Sequence, residues 1–237
     1  MKKNVTFFVI LFFLLGLFTF YNQQDQFYLA VLKQKEPPET IVLDAGHGGS
    51  DPGKIGCNQI LEKNINLAIT LKCKTLLEKQ NVRVILTRST DEGLYTDTDT
   101  NKKASDMKKR RLLMEQEDVT LAVSIHQNSY PSEQVFGAQV FYYTDSEQGK
   151  LLANNIQTSL QSVNPENKRQ IKASNDYYIL KAANCPVVIC ECGFLSNPEE
   201  CAKLNSEEYQ EKVAKAIATG ILSYLFQNEK ATPKNVE

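Results

Sequence analysis

The sequence predicts an α/β fold, because short apolar runs of strand type alternate with segments of helical periodicity along the chain. The strand-like runs lie at residues 41–44, 82–87, 121–126, 137–143 and 186–194. A helix between two successive strands favours a parallel crossover connection. Folds of this class carry their functional groups at the carboxyl ends of the strands, so a site is expected there.

The first helix is identified by apolar residues that recur every three or four positions. Leu61, Ile65, Ile69, Cys73 and Leu76 follow this spacing and predict a helix over about residues 61–80. The other predicted elements are helices at about 103–117, 152–163 and 209–225, and loops at 88–102 and 164–176.

Length and composition indicate a globular protein with one sizeable domain. The chain of 237 residues is 42% hydrophobic and 23% charged, which indicates neither disorder nor a coiled coil. Its net charge of −1 argues against a nucleic-acid binder. The basic cluster Lys108–Arg111 lies in a helix-like segment and is interpreted as a solvated face. We place the catalytic domain at residues 40–226 and a polar tail at 227–237.

The first 21 residues are predicted to be an export signal or a membrane anchor rather than part of the fold. Lys2 and Lys3 precede an almost wholly apolar run from Val5 to Phe20. No small-residue cleavage site follows this run closely, which favours an uncleaved anchor. The two lysines favour a cytoplasmic N-terminus, so the rest of the chain is expected to be exported. Residues 22–39 are polar and proline-bearing and are interpreted as a linker.

The six cysteines show no paired CxxC spacing, and a core of this size does not depend on disulfides. Cys190 and Cys192 flank Glu191 in the last strand-like run. Because side chains alternate along a strand, both thiols should point away from the face that Glu191 occupies. They are predicted to be small buried hydrophobic residues.

The two histidines of the sequence each follow an apolar strand-like run. His47 lies where residues 41–44 lead into a glycine-rich turn, and His126 lies at the end of the run that begins at Leu121. Either histidine alone would fit a structural role, but both at strand ends in Gly, Asn and Ser contexts indicate a shared site. A third run carries Glu191, a carboxylate that a strand does not normally bury without a function.

These side chains predict a zinc hydrolase. Catalytic zinc takes three protein ligands from histidine and carboxylate side chains and keeps a fourth position for water. His47 and His126 supply two ligands, and Glu62 is the predicted third, because it opens the first helix after the loop that begins at His47. Glu191 is the predicted unligated carboxylate, which takes the proton of the water and hands it to the leaving amine.

Several of these residues also have other interpretations. Glu62 fits an acid in the first turn of a helix, where the helix dipole favours it. Asp44 and Asp51 are further candidate ligands, although a supporting or turn-forming role is favoured. Asn128 fits either a substrate contact or a turn cap.

Five short motifs carry a family resemblance: Asp44-Ala-Gly-His-Gly-Gly49, Glu62-Lys63, Leu86-Thr-Arg88, Ser124-Ile-His-Gln-Asn-Ser129 and Glu191-Cys-Gly-Phe-Leu-Ser-Asn197. Over residues 40 to about 226 the chain resembles the zinc-dependent N-acetylmuramoyl-L-alanine amidases. The resemblance implies cleavage of peptidoglycan between N-acetylmuramic acid and the first L-alanine of the stem peptide. It implies that His47, Glu62 and His126 bind Zn²⁺ and that Glu191 is catalytic. It also implies a single domain with a mixed, mostly parallel sheet of about six strands flanked by helices.

A finer resemblance is to the sporulation and germination-specific cortex amidases of endospore-forming bacteria, because neither a wall-binding repeat nor an inserted autoinhibitory helix after His126 is recognisable. It implies formation of muramic-δ-lactam in the spore cortex, and a location in the cell envelope or the forespore intermembrane space. The expected partner is peptidoglycan. The sequence leaves open whether an activating protein partner is needed and whether the N-terminal segment contacts the membrane. Cys190 departs from the family pattern, in which an aliphatic residue commonly precedes the glutamate.

Two rival functions stay open at this level. One is a zinc peptidase that cuts a stem-peptide bond with the same machinery. The other is a non-catalytic wall-binding protein with a relic site, against which the intact Glu191 beside a complete ligand set argues.

Overall fold

A six-stranded sheet forms the centre of the computed structural model, which describes residues 38–181 and 184–231. Its strands are β1 (Thr40–Ala45), β2 (Arg83–Leu86), β3 (Val119–Asn128), β4 (Gln139–Tyr143), β5 (Lys172–Ser174) and β6 (Val187–Phe194). The strand order is β2-β1-β3-β6-β4-β5. All neighbouring strands pair in parallel except β4 and β6, which are antiparallel. The predicted mixed, mostly parallel sheet is therefore confirmed.

The described part of the chain contains five α-helices and two short 3-10 helices. They are α1 (Glu62–Glu78), α2 (Lys102–Met114), α3 (Glu147–Val163), α4 (Pro198–Leu204) and α5 (Glu207–Ala231), with 3-10 turns at Cys57–Gln59 and Tyr178–Lys181. Helix α5 thus continues five residues beyond the predicted domain end at residue 226.

Two elements differ from the sequence-based expectation. The segment 164–176 was predicted to be a loop, but it contains β5. This prediction was wrong because β5 is only three residues long and its side chains are polar or small, so it lacks the alternation that marks a strand. Helix α4 was not predicted, because seven residues are too few for a clear helical period; its start is set by the Asn197 side chain, which accepts a hydrogen bond from the Glu200 amide.

Both faces of the sheet are covered, which explains why its inner strands are continuous apolar runs. Ile41 and Leu43 of β1 belong to the larger core cluster, which also contains apolar residues of α1, α3 and α5. Val42 points to the other face and joins a smaller cluster with Met114 of α2 and Ile189 of β6. Alternate residues of one strand therefore hold helices on opposite sides of the sheet.

All six cysteines are free thiols. Cys190 and Cys192 are buried in the larger core cluster, as predicted, so Glu191 between them faces the other side of the sheet. Burial raises the pKa of the Cys190 and Cys192 thiols, which keeps them protonated and unreactive.

The segments that were predicted to form an export signal or anchor and most of the linker, residues 1–37, lie outside the described residues. The described residues from Glu39 onward belong to one compact unit. Within residues 38–181 and 184–231, no helix combines the length and the apolar character that crossing a membrane requires.

Candidate active site

The carboxyl ends of β1, β3 and β6 lie side by side and carry the predicted site residues. The pairing of β1 with β3 continues past the end of β1, because the Gly46 amide donates to the Ile125 carbonyl over 3.1 Å. A side chain at Gly46 would place its Cβ 2.2 Å from the His126 ring, so only glycine lets the imidazole lie against this backbone. His47 follows in the left-handed region with a φ of 62°, which turns its side chain back towards the strand ends.

Glu62 joins the two histidines. Its Oε1 lies 3.0 Å from His126 Nδ1, and its Oε2 lies 3.2 Å from His47 Nε2. The candidate ligand atoms of the three side chains all lie within 4.8 Å of one another. The structure therefore brings together the three residues that were predicted to bind the metal, although they are far apart in the sequence.

The carboxylate of Glu62 is buried, with 1% of the residue exposed, and backbone groups hold it in place. The Lys54 amide donates to Oε2 over 2.7 Å, and the Gln127 amide donates to Oε1 over 3.0 Å. Burial alone would raise the pKa of Glu62, but its hydrogen bonds with His126 and His47 hold this pKa well below the usual range. Glu62 is thus a buried anion that is hydrogen-bonded to both histidines, and it also lies in the first turn of α1, where the helix dipole favours an acid.

The two histidines differ in their surroundings. Burial would lower the pKa of His126, but the hydrogen bond and charge of Glu62 raise this pKa to about 8. His47 Nδ1 lies 2.9 Å from Asp51 Oδ2, which leaves Nε2 towards Glu62. Asp51 therefore orients a candidate ligand, in agreement with the supporting role favoured from the sequence.

Asn66 is a part of the site that sequence reasoning missed. It is fully buried and its Nδ2 donates to Glu62 Oε1 over 3.2 Å and to the Gly46 carbonyl over 3.1 Å. Its Oδ1 accepts from Gln127 Nε2 over 3.1 Å. The available signal was its spacing, because Asn66 lies one helical turn after Glu62 on α1 and so shares its face.

Glu191 lies beside these three residues, on the strand next to that of His126. In β6 it pairs directly with His126 of β3. Its side chain is buried, and its Oε2 has no hydrogen-bond partner among the described residues. Burial is the main reason that the pKa of Glu191 is raised to about 7, and the nearby charge of His126 limits the rise. A buried carboxyl with an unengaged oxygen and a near-neutral pKa is suited to moving a proton.

Asp44 supports the loop that carries His47 and does not occupy a ligand position. Its carboxylate accepts hydrogen bonds from Arg110, Ser124 and Thr87. Burial opposes ionisation, but the charge of Arg110 and these hydrogen bonds lower the pKa of Asp44 to about 2. This arrangement agrees with the supporting role that the sequence favoured.

Arg110 is the other half of this buried pair, and its interpretation as part of a solvated face was wrong. Only 2% of the residue is exposed. Besides Asp44, it donates to the His47 carbonyl over 2.6 Å and to Asp106 Oδ2 over 2.6 Å. The basic cluster concealed this role, because Arg110 is the one buried residue among its four.

We expect Arg110→Met to destabilise the protein by about 3–5 kcal/mol, because it leaves the Asp44 carboxylate buried without its cation. The matched control is Arg83→Met, which removes an exposed pair with Asp118 and should cost less than about 1 kcal/mol. Urea unfolding of both variants gives the two free energies. Equal losses would contradict the role assigned to Arg110.

Asn128 has a local role in the structure. Its Oδ1 accepts a hydrogen bond from the Ser129 amide over 2.8 Å, and its carbonyl accepts one from the Leu195 amide over 2.8 Å. The hydrogen bond from the Ser129 amide fits the interpretation of Asn128 as a turn cap, and a substrate contact stays the other prediction.

A cavity of about 400 Å³ opens over Glu191 and the two histidines. It is lined by the loop at residues 46–52, by α2 and by the segment from Tyr177 to Ile179. The site residues thus lie at the base of a space that can admit a substrate.

The donor set of this site fits a zinc ion. Two imidazoles and one carboxylate are the ligand types of catalytic zinc in hydrolases. A buried anion needs either a cation or several hydrogen bonds, and Glu62 is held ionised between two imidazoles that coordinate metals readily when neutral. Glu191 is not part of this cluster. Its Oε2, which has no hydrogen-bond partner among the described residues, is better suited to proton transfer than to binding the metal.

Comparisons with known proteins identify the family of the chain. The family described as Amidase_3, N-acetylmuramoyl-L-alanine amidase, matches residues 41–223. A germination-specific N-acetylmuramoyl-L-alanine amidase of Bacillus subtilis (strain 168) is 36% identical over 196 residues, which is 81% of this chain and 81% of that protein.

Solved structures resemble the fold over the same region. The CwlD amidase from Clostridioides difficile, solved in complex with the GerS lipoprotein, is 43% identical with a TM-score of 0.77, covering 80% of this chain and 99% of that one. An N-acetylmuramoyl-L-alanine amidase from Clostridium difficile 630 is 31% identical with a TM-score of 0.72, covering 81% and 98%. From the match over residues 41–223 and from these relatives, the chain belongs to the Amidase_3 family and is an N-acetylmuramoyl-L-alanine amidase, a hydrolase that acts on peptidoglycan.

Proposed function

We propose that the amidase depends on zinc, that His47, Glu62 and His126 bind the metal, and that Glu191 carries the proton of the reaction. The observation that supports this most is the position of Glu62, whose two oxygens lie 3.0 and 3.2 Å from imidazole nitrogens of the two histidines. The bond cut is the amide between N-acetylmuramic acid and L-alanine.

Each residue has a part in the proposed mechanism. A bound zinc ion would polarise the amide carbonyl and make water a better nucleophile near neutral pH. Glu191 Oε2 accepts the proton of the attacking water and delivers it to the nitrogen of the leaving L-alanine. Because burial raises the pKa of Glu191 to about 7, this oxygen can both take up and release a proton near neutrality. The backbone amides of Lys54 and Gln127 hold Glu62 in one orientation throughout.

We expect Asp51→Asn to weaken zinc affinity by about 10–100-fold, because the carboxylate that orients His47 through Nδ1 is lost. The affinity is measured by competition with a fluorescent chelator. Asp145→Asn removes an exposed carboxylate away from the site and should leave the affinity unchanged. An unchanged affinity in Asp51→Asn would show that Asp51 does not support the metal site.

The proposed biological role is in the spore cortex, where removal of the stem peptide precedes formation of muramic-δ-lactam. This role is supported by the likeness to a germination-specific amidase and to CwlD. It agrees with export to the cell envelope or the forespore intermembrane space by means of residues 1–21. Because the CwlD structure contains a lipoprotein, a lipoprotein partner that activates the enzyme is part of the proposal, and so is membrane contact through the N-terminal segment.

Digestion of purified peptidoglycan, followed by mass spectrometry of the products, tests the reaction. We expect intact glycan strands whose N-acetylmuramic acid residues carry a free lactyl carboxyl group, together with intact stem peptides that begin with L-alanine. A chelator should abolish their release, and added Zn²⁺ should restore it. Fragments cut within the stem peptide would indicate a peptidase, and hydrolysis that resists the chelator would contradict a metal requirement.

A further inference from the structure

The cavity above the site is lined by aromatic and cationic side chains. Tyr177 and Tyr178, from the segment before β6, belong to its wall. Lys102 and Lys103, at the start of α2, belong to the same wall. A substrate that places its amide beside Glu191 therefore shares the cavity with both kinds of side chain.

Three acids of the cavity wall have partners other than the two lysines. Arg110 forms ion pairs with both Asp44 and Asp106. Asp51 lies 2.9 Å from His47, and the charge of Lys103 also acts on it. These three acids form no direct ion pair with Lys102 or Lys103, although Asp51 is close enough to feel the charge of Lys103.

The two lysines differ in how free they are. Lys102 lies 3.2 Å from Asp97 Oδ1 and 5.1 Å from the centre of the Tyr95 ring. Lys103 is exposed, and it forms no ion pair within 4 Å in residues 38–181 and 184–231. Its ammonium is a compact charge on a flexible stem that can move to meet an anion in the cavity.

The substrate supplies such an anion close to the bond that is cut. In the stem peptide, L-alanine is followed by a glutamyl residue whose α-carboxyl group is either free or amidated. The free form carries one negative charge one residue away from the cleaved amide. The amidated form has the same shape without the charge.

We propose that Lys103 binds this carboxylate, so that the enzyme prefers stem peptides with a free carboxyl group next to L-alanine over those with a carboxamide there. The inference rests on the proposed function, since it places the scissile amide beside Glu191. Under this proposal Lys103 determines specificity, and the bound stem peptide passes over the start of α2.

The test compares two ligands that differ in one group: N-acetylmuramoyl-L-alanyl-D-glutamate and its α-carboxamide. Their dissociation constants are measured by calorimetry on the zinc-loaded, full-length Glu191→Gln protein, so that neither ligand is consumed. We expect the carboxylate ligand to bind about tenfold more tightly, as for a hydrogen bond to a charged group. In the wild-type enzyme the same preference should appear in KM rather than in kcat.

Variants at one position assign the preference to Lys103. Lys103→Gln should bind both ligands equally, and Lys103→Arg should recover most of the preference. The matched control is Lys108→Gln, an exposed lysine of the same helix outside the cavity wall, which should behave as the parent protein.

Equal affinity for the two ligands in the parent protein would overturn the proposal, and so would a preference that survives in Lys103→Gln or a failure to bind either ligand. These outcomes are separate from a failure of the proposed function. That failure would appear as a lack of zinc-dependent release of stem peptides from whole peptidoglycan by the wild-type protein.

Discussion

Glu191→Gln is expected to lose amidase activity by about 10²–10⁴-fold while it binds zinc as well as the wild-type protein does. The substitution keeps the size of the side chain and removes only its ability to take and give a proton. Glu191 Oε2 has no hydrogen-bond partner among the described residues, so replacing the carboxylate with the Gln amide breaks no hydrogen bond at this oxygen. Burial raises the pKa of Glu191, so the neutral amide should be tolerated there without loss of stability.

Three measurements on Glu191→Gln separate catalysis from folding. Peptidoglycan digestion gives the activity, metal analysis gives the zinc content, and thermal unfolding reports the fold. Glu199→Gln, an exposed carboxylate in the first turn of α4, is the control and should retain full activity. Turnover by Glu191→Gln at the wild-type rate would remove this residue from the mechanism.

His126→Ala is expected to lose both zinc and activity. The substitution removes one of three donors and also leaves Glu62 Oε1 without the imidazole that lies 3.0 Å away. Its effect on zinc affinity should exceed the roughly 10–100-fold that follows loss of a residue that only orients a ligand. Asp51→Asn provides that comparison within the same site.

The sequence has only two histidines, so no histidine outside the site can act as a control. The appropriate reference for His126→Ala is wild-type protein treated with a chelator, which should unfold at a similar temperature. A full equivalent of zinc in the purified variant would mean that His126 is not a ligand.

Local sequence patterns were enough to identify four of the residues that meet at the site, but not Asn66. His47, His126 and Glu191 each lie at or near the end of an apolar strand, and parallel strands bring such ends to one edge of a sheet. The class of the fold followed from the alternation of strands and helices for the same reason. Glu62 was placed only by assuming that the loop after His47 folds back, which the structure shows through the hydrogen bond from the Lys54 amide.

Features that depend on contacts between residues far apart in the chain could not be predicted from the sequence. The pairing of Asp44 with Arg110 joins residues 66 positions apart, and nothing in the sequence of the basic cluster distinguishes the one buried arginine from its neighbours. Strand β5 lies next to β4 although its own sequence has no strand pattern, so tertiary pairing rather than local propensity defines it.

X-ray absorption at the zinc edge of the purified protein tests the central claim most directly, when it is combined with the zinc content per chain. We predict one zinc ion whose ligands are two imidazoles and oxygen donors, with no sulfur ligand from the six cysteines. A chain that binds no zinc, or a spectrum with sulfur ligands and no histidine, would contradict the account.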